Sequence, residues 1–280
     1  MSGRADLPLA DVRVLDLTRL LPGGFCSLLL ADFGADVLKV EDTGGGDYIR
    51  WAPPFYGTDE HQDLGTRSAL FLALNRNKRS VRLNLKEERG REALLKLVAD
   101  YDIVLESFRP GVLDRLGVGF EEMRKANPAI VVCAITGYGQ DGPFRDRAGH
   151  DENYLGYNGL LGLTGAADGP PVQAGGQIAD LGGGALMAAF GVMAALHEAR
   201  RSGEGQFVDV SMTDGSLSWL AMVAGAALCD GNFPKRGELP LARAPRLVDR
   251  GHHAEGGHQS AATEISDLAR CLDRRTAGST

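Results

Sequence analysis

Short apolar runs recur along this chain, and most are followed by a glycine-bearing loop and a stretch with helical spacing. Residues 12–16 read as a strand, 22–24 (Pro-Gly-Gly) as a loop, 25–33 as a helix closed by Gly34, and 37–41 as a second strand. That spacing is a βαβ unit, which implies a parallel strand pair. After a Gly/Pro/aromatic loop over 44–57 the pattern returns. Residues 80–85 alternate as a strand, 87–99 form a helix that buries Leu94, Leu95 and Leu97, and 103–106 and 129–135 are further strands. The last of these is almost continuously apolar, as expected for a strand covered on both faces. The order predicts an α/β fold, a Rossmann-like parallel sheet with helices on both faces, and ligands where strands end in loops.

Beyond residue 136 the texture changes. A Gly-rich loop spans 137–143, a Gly/Pro-rich linker spans 165–176, and 181–201 read as one long helix with small residues along it. A strand follows at 208–212, and Asp214 is positioned to cap the helix after it. We expect a large domain over 1–200, a linker helix and the start of a smaller, incomplete second domain over 201–242, and an atypical, disordered tail over 243–280.

Composition narrows the class. With 44% apolar and 24% charged residues, the 280-residue chain reads as a soluble globular protein, expected in the cytoplasm. A net charge of −7 argues against a nucleic-acid partner and does not suggest an anionic membrane. The start carries no signal-peptide pattern, and the apolar windows at 185–196 and 217–228 are too short to cross a bilayer. The four cysteines are scattered, so neither a disulfide framework nor a zinc site is expected. His252, His253, His258 and Glu255 sit in the tail and read as solvated residues, not as a metal site.

Two segments carry the candidate chemistry. Arg147-Ala-Gly-His-Asp-Glu-Asn-Tyr154 offers an imidazole, His150, supported by Asp151 and Asn153. Gln177-Ile-Ala-Asp-Leu-Gly-Gly-Gly184 offers a carboxylate, Asp180. A base that is neutral near pH 7 and a second that stays ionised form a pair able to move protons. Two basic groups near strand ends, Asn75-Arg-Asn-Lys-Arg-Ser80 with Lys39 beside it, and the run from Glu106 to Arg115, suit a phosphorylated ligand or a solvated surface equally. The Gly137, Gly139, Gly142 match to a dinucleotide fingerprint is followed by Pro143 where a helix is required, so it reads as a turn. No P-loop and no Gly-x-Ser-x-Gly is present.

At this point the chain resembles the class III CoA-transferases (the CaiB/BaiF family). The motifs are Leu21-Pro-Gly-Gly-Phe-Cys26, Asp32-Phe-Gly-Ala-Asp-Val-Leu-Lys-Val-Glu41, Asn75-Arg-Asn-Lys-Arg-Ser80, Glu106-Ser-Phe-Arg-Pro-Gly111, Thr136-Gly-Tyr-Gly-Gln-Asp-Gly-Pro143 and Gly203-Glu-Gly-Gln-Phe-Val-Asp-Val-Ser-Met212, in one order between about residues 7 and 241. The resemblance implies a CoA-holding large domain, a smaller domain and an interlocked homodimer. It places CoA contacts at Leu20, Leu21, Leu83, Asn84, Lys86, Ser107, Phe108, Arg109 and Arg115, to which the basic-residue reading adds Lys39. Asp42 stands where the family often has an arginine. Asp180 falls on the nucleophilic aspartate of the transferases, and Gly149-His150-Asp151 on a segment used by the α-methylacyl-CoA racemase branch.

The histidine favours the racemase, with His150 and Asp180 serving opposite faces of a planar enolate and N–H groups at Gly182, Gly183 and Gly184 stabilising its charge. The alternatives are a CoA-transferase acting through Asp180 and a truncated, non-catalytic CoA-binding chain. The resemblance implies an acyl-CoA thioester as substrate, with CoA as part of it, and no cofactor or metal is expected. A glutamate that the resemblance implies as the histidine's orienting partner has no counterpart in this sequence. The family pattern stops near Leu239-Pro-Leu-Ala242, and we expect a frameshift or gene-model error behind the tail.

Overall fold

The computed structural model describes residues 6–57 and 67–238, so the proposed tail and its histidines lie outside the described residues. Six parallel strands form one sheet in the order β3-β2-β1-β4-β5-β6. They are β1 (Arg13–Asp16), β2 (Asp36–Glu41), β3 (Lys78–Arg82), β4 (Ile103–Glu106), β5 (Val131–Thr136) and β6 (Phe207–Ser211). The helices are α1 (Leu20–Asp32), α2 (Ala69–Asn75), α3 (Glu88–Val98), α4 (Val112–Arg115), α5 (Phe120–Ala126), α6 (Asp151–Tyr157), α7 (Leu160–Leu163), α8 (Met187–Ser202), α9 (Met212–Leu217) and α10 (Ala221–Asp230). A π-helical segment, Ile178–Leu186, runs directly into α8. This is the doubly wound order expected from the alternating pattern, with its reversal between β1 and β4.

Strand alternation sorts the core into two layers. Val12, Val14, Ile103, Leu105, Val131, Cys133 and Ile135 face α1 and α8, while Leu15, Leu17, Val104 and Val132 face α3 and α5. The central strands are apolar on both faces because both are covered; β4 and β5 are buried at every position. β3 is an edge strand and carries the exposed Arg79 and Arg82, charges that discourage pairing with another sheet. α8 buries a stripe at helical spacing, Ala188, Val192, Ala195, Leu196 and Ala199, and ends at Gly203 with φ +79°.

Several expectations are corrected. α1 begins at Leu20, so Pro22, Gly23 and Gly24 belong to its first turns and not to a loop. Proline is tolerated there because early helix N–H groups have no partner to lose, and a side chain on Gly23 would collide with Thr18. The long helix expected from residue 181 starts at Ile178, with wide turns through Gly182, Gly183 and Gly184. Ser211, not Asp214, caps α9, accepting the Asp214 N–H at 3.1 Å. The sheet also continues past residue 200, because β6 pairs with β5.

The described residues divide into two compact units, one of 6–57, 67–161 and 173–218 and the other of 162–172 and 219–238. In the second, Arg236 Nε donates to Gly162 O at 3.0 Å and Thr164 Oγ1 to Val172 O at 2.7 Å. Two helical runs, Ile178–Ser202 and Met212–Cys229, are long and apolar enough by composition alone to cross a membrane, although the sequence windows looked too short. The first supplies the buried α8 stripe.

The π-helical segment depends on its glycines. A Cβ on Gly183 would stand 2.6 Å from both Met212 O and Ser216 N, backbone atoms that cannot swing aside. Gly183→Ala is therefore expected to destabilise the fold by about 2–3 kcal/mol in urea unfolding. Gly156→Ala in α6, where nothing lies within 4 Å of the added carbon, should be neutral or stabilising by about 0.5–1 kcal/mol.

Candidate active site

The reversal point of the sheet brings the loops after β1 and β4 together. The Arg19 N–H donates to Ser107 Oγ at 3.0 Å, and the Phe108 N–H to Glu106 Oε2 at 2.7 Å. Burial pushes the Glu106 carboxyl up to about 7 against the pull of that hydrogen bond, with Asp114 and Asp209 adding to the rise. Leu20 takes φ +61°, a left-handed conformation costly for a branched side chain, and its N–H donates to Asp47 Oδ1 at 3.0 Å.

Asp47 is held in turn by Lys39 Nζ at 3.0 Å. Lys39 is 1% exposed, also donates to Thr18 O at 2.9 Å, and lies 3.8 Å from Asp16. Its expected phosphate contact is corrected: the ammonium is enclosed by protein oxygens and fixes the strained loop from beneath.

The second half of the site comes from α6 and the π-helical segment. His150 is the extended residue before α6, exposed, with its N–H donated to Asn153 Oδ1 at 2.9 Å. Asp151, 6% exposed, accepts the Asp180 N–H at 2.8 Å through Oδ1. Asp151 thus orients the backbone of Asp180 and leaves its carboxylate unbonded. Burial pushes the half-buried Asp180 carboxyl up to about 6, Asp151 adds to the rise, and His150 opposes it. Tyr154 donates to Gly149 O at 2.6 Å, and burial followed by the Asp180 charge raises its phenol.

These parts surround a cavity of about 850 Å³, within the usual range for a small-molecule site. Leu20, Leu21, Ser107, Phe108 and Arg109 line it on the sheet side. His150, Asn153 and Asp180 line it on the α6 side, so the two candidate bases share one cavity. Leu83, Asn84, Lys86 and Arg115 do not line it. Leu83 packs against the α3 layer, and Asn84 is engaged locally, donating to Glu87 and accepting the Lys86 N–H. The Arg115 guanidinium lies beside Gly111.

The N–H groups expected to be free at Gly182, Gly183 and Gly184 sit beyond the first turn, because the helix begins at Ile178. Arg19, Arg145 and Arg147 line the cavity without having been singled out by sequence; for the last two the signal was their place just before Gly149-His150. Among the described residues no group of His, Cys, Asp and Glu could hold a metal ion.

The fold and cavity define a doubly wound α/β protein with a cavity at the sheet's reversal point, beside a partly buried aspartate. The chain belongs to CoA-transferase family III, whose model matches residues 9–249. It is 41% identical over 230 residues to a Mus musculus protein named succinyl-CoA:glutarate CoA-transferase, covering 82% of this chain and 51% of that protein. It is 42% identical over 236 residues to a Chloroflexus aurantiacus protein named succinyl-CoA–D-citramalate CoA-transferase, covering 84% of this chain and 56% of that protein. A crystal structure of a CaiB/BaiF family protein from Brucella suis matches with a TM-score of 0.76 and 38% identity, covering 82% of this chain and 60% of that one. The chain thus spans about half the length of the curated relatives it matches.

The Asp180 environment has a measurable consequence. Its folded pKa is raised, so the folded state binds a proton more readily than the unfolded chain between about pH 4 and 6. This contribution is fully present below the unfolded pKa and is lost as pH rises through about 6. At pH 7.5, Asp180→Asn should therefore be more stable than the parent by on the order of 1–2 kcal/mol. That advantage should shrink to nothing by pH 3.5, as read from paired thermal melts across pH.

Proposed function

We propose that this chain carries the CoA-binding, nucleophile-bearing part of an enzyme that moves CoA between carboxylic acids. The observation that carries this reading is Asp180: a half-buried carboxylate at the wall of the cavity, bonded to no lysine or arginine among the described residues and raised to about 6. Such a group is ionised at neutral pH yet more basic than a free aspartate, which suits a nucleophile. The names of the relatives support the same reading, since they describe CoA transfer involving succinate, glutarate and D-citramalate. They reverse the order expected from sequence, in which the racemase came first. Asp180 serves either chemistry, and the histidine beside it does not by itself select proton transfer.

In the proposed sequence a carboxylate oxygen of Asp180 attacks the thioester carbonyl. The C–S bond breaks, leaving CoA thiolate and an acyl-aspartyl anhydride. The thiolate attacks the aspartyl carbonyl, releasing the donor acid and leaving an aspartyl-CoA thioester. The acceptor carboxylate attacks that thioester and expels the thiolate again, giving a new anhydride. Attack of the thiolate on the acceptor's acyl carbon then frees Asp180. The steps balance without an external proton, metal or redox equivalent, so the proposal needs no cofactor. It includes a homodimeric, cytoplasmic form acting on an acyl-CoA thioester, without a nucleic-acid or membrane partner.

A second reading, α-methylacyl-CoA racemisation, is favoured by one observation: His150 lines the same cavity as Asp180. Incubation with acyl-CoA followed by borohydride, which reduces an aspartyl thioester to an alcohol, separates the two. The transferase reading expects modification of the Asp180 peptide, none in Asp180→Asn, and at least a ~10³-fold loss of transfer in that variant. Deuterium uptake at the α carbon in D2O with no acceptor acid, and no trapped adduct, would establish the racemase instead. Neither outcome would leave a non-catalytic CoA-binding chain.

A further inference from the structure

The charge inventory of the cavity is unbalanced. Four arginines line it, Arg19, Arg109, Arg145 and Arg147, against one carboxylate, Asp180. Arg19 is already paired with Asp42 at 2.8 Å. Arg145 lies 3.7 Å from the exposed Asp146 and points its Nη2 toward Gly111 in the loop after β4. Arg147 differs from both: among the described residues it has no carboxylate partner, yet it is held in place. Its guanidinium carbon lies 4.4 Å from the Phe144 ring centroid, and Nη1 donates to Tyr157 Oη at 2.5 Å. Phe144 and Tyr157 pack against each other at 4.9 Å, and both pack on Tyr138. Tyr138 in turn meets Tyr154 edge-on at 5.2 Å.

An exposed guanidinium with an aromatic seat, a single side-chain acceptor and no counter-charge is preorganised for an anion. Arg147 lines the same cavity as Asp180 and is tied to it through the chain. Arg147 stands three residues before His150 and four before Asp151, whose carboxylate holds the Asp180 backbone. Arg109, which also has no carboxylate partner among the described residues, stands in the loop after β4, and Arg145 reaches from the 137–149 loop toward Gly111. The planar fork of arginine matches a carboxylate in two parallel hydrogen bonds.

We propose that Arg147 reads the second, non-reacting carboxylate of a dicarboxylic acyl group while the other end is presented to Asp180. The inference rests on the transferase reading for the identity of the reacting end. It would make the protein selective for dicarboxylic monothioesters over neutral acyl-CoAs of the same length.

The test is direct binding to the full chain by calorimetry, which requires no turnover. The ligands are CoA, succinyl-CoA and butyryl-CoA; the last replaces the distal carboxylate by a methyl group. The parent should prefer succinyl-CoA to butyryl-CoA by about 10- to 100-fold, as expected for a charge-assisted pair. Arg147→Gln should bring that ratio close to one while changing CoA and butyryl-CoA affinities less than about threefold, and Arg147→Lys should restore part of it. A parent without preference, or an Arg147→Gln variant that keeps it, overturns the proposal. So does an equal loss for all three ligands, which would mark Arg147 as a phosphate contact or a structural residue, and so does absence of binding by any of them. Failure to trap an adduct on Asp180 would sink the transferase reading alone, because the binding ratio does not depend on it.

Discussion

A buried cluster of two lysines and two aspartates underlies the site. Lys39 touches Asp47 and Thr18 O, with Asp16 at 3.8 Å; Lys78 lies 3.4 Å from Asp16 and also donates to Gly24 O and Asn75. All four charged side chains are about 1% exposed or less. Burial works against the charges of Asp16, Lys39 and Lys78. At Asp16 the two lysines and the Ser27 and Thr18 hydroxyls overcome it, and the carboxyl ends below its ordinary value. At Lys39 three carboxylates, Asp16, Asp47 and Glu41, overcome it, whereas Lys78 has Asp16 as its one carboxylate, is repelled by Lys39, and falls to about 8. Removing one partner of such a cluster typically costs about 3–5 kcal/mol, because the charge left behind stays buried. The cluster ties β1, β2, the start of β3, the first turns of α1 and the 42–47 loop to one point, and through Asp47 it holds Leu20 in a conformation the residue would not otherwise adopt.

The layered fold was legible in the sequence because parallel strands covered on both faces leave uninterrupted apolar runs. Residues 103–106 were read to the residue, and β5 was displaced by only a residue or two. What pattern reading could not see was close approach between distant segments. Pro22-Gly23-Gly24 looks like a loop until Thr18 folds over Gly23, and the triple glycine after Asp180 looks like a helix start until Met212 and Ser216 are found against it. Both glycine runs are places where another backbone or side chain occupies the volume of a Cβ, which periodicity does not encode.

The candidate site was legible in its chemistry and less so in its division of labour. His150, Asn153 and Asp180 were named as one group and do line one cavity. Lys39 was misread because a lysine near the end of a parallel strand is also what a phosphate ligand requires. Nothing in Gly-Gly-Gly-Asp47 announces the partner that encloses it. Asp151, taken as support for His150, acts on the neighbouring segment by accepting the Asp180 N–H. Arg147 was in plain view in the same stretch, but its aromatic seat depends on Phe144 and Tyr157, brought together only when the 137–149 loop folds back on α6.

In the transferase reading proposed for Asp180, this division of labour resolves a tension in any carboxylate nucleophile. A bonded cation beside Asp180 would lower its pKa and its nucleophilicity; with nothing to hold it, a carboxylate loses its alignment. Here Asp151 fixes the Asp180 main chain with a single hydrogen bond, while burial first and the Asp151 charge second push the Asp180 carboxyl upward, so the residue that orients the segment also adds to its basicity. In the same reading Arg109 and Arg147, which line the cavity with no carboxylate partner among the described residues, are available to attract an anionic ligand without bonding Asp180.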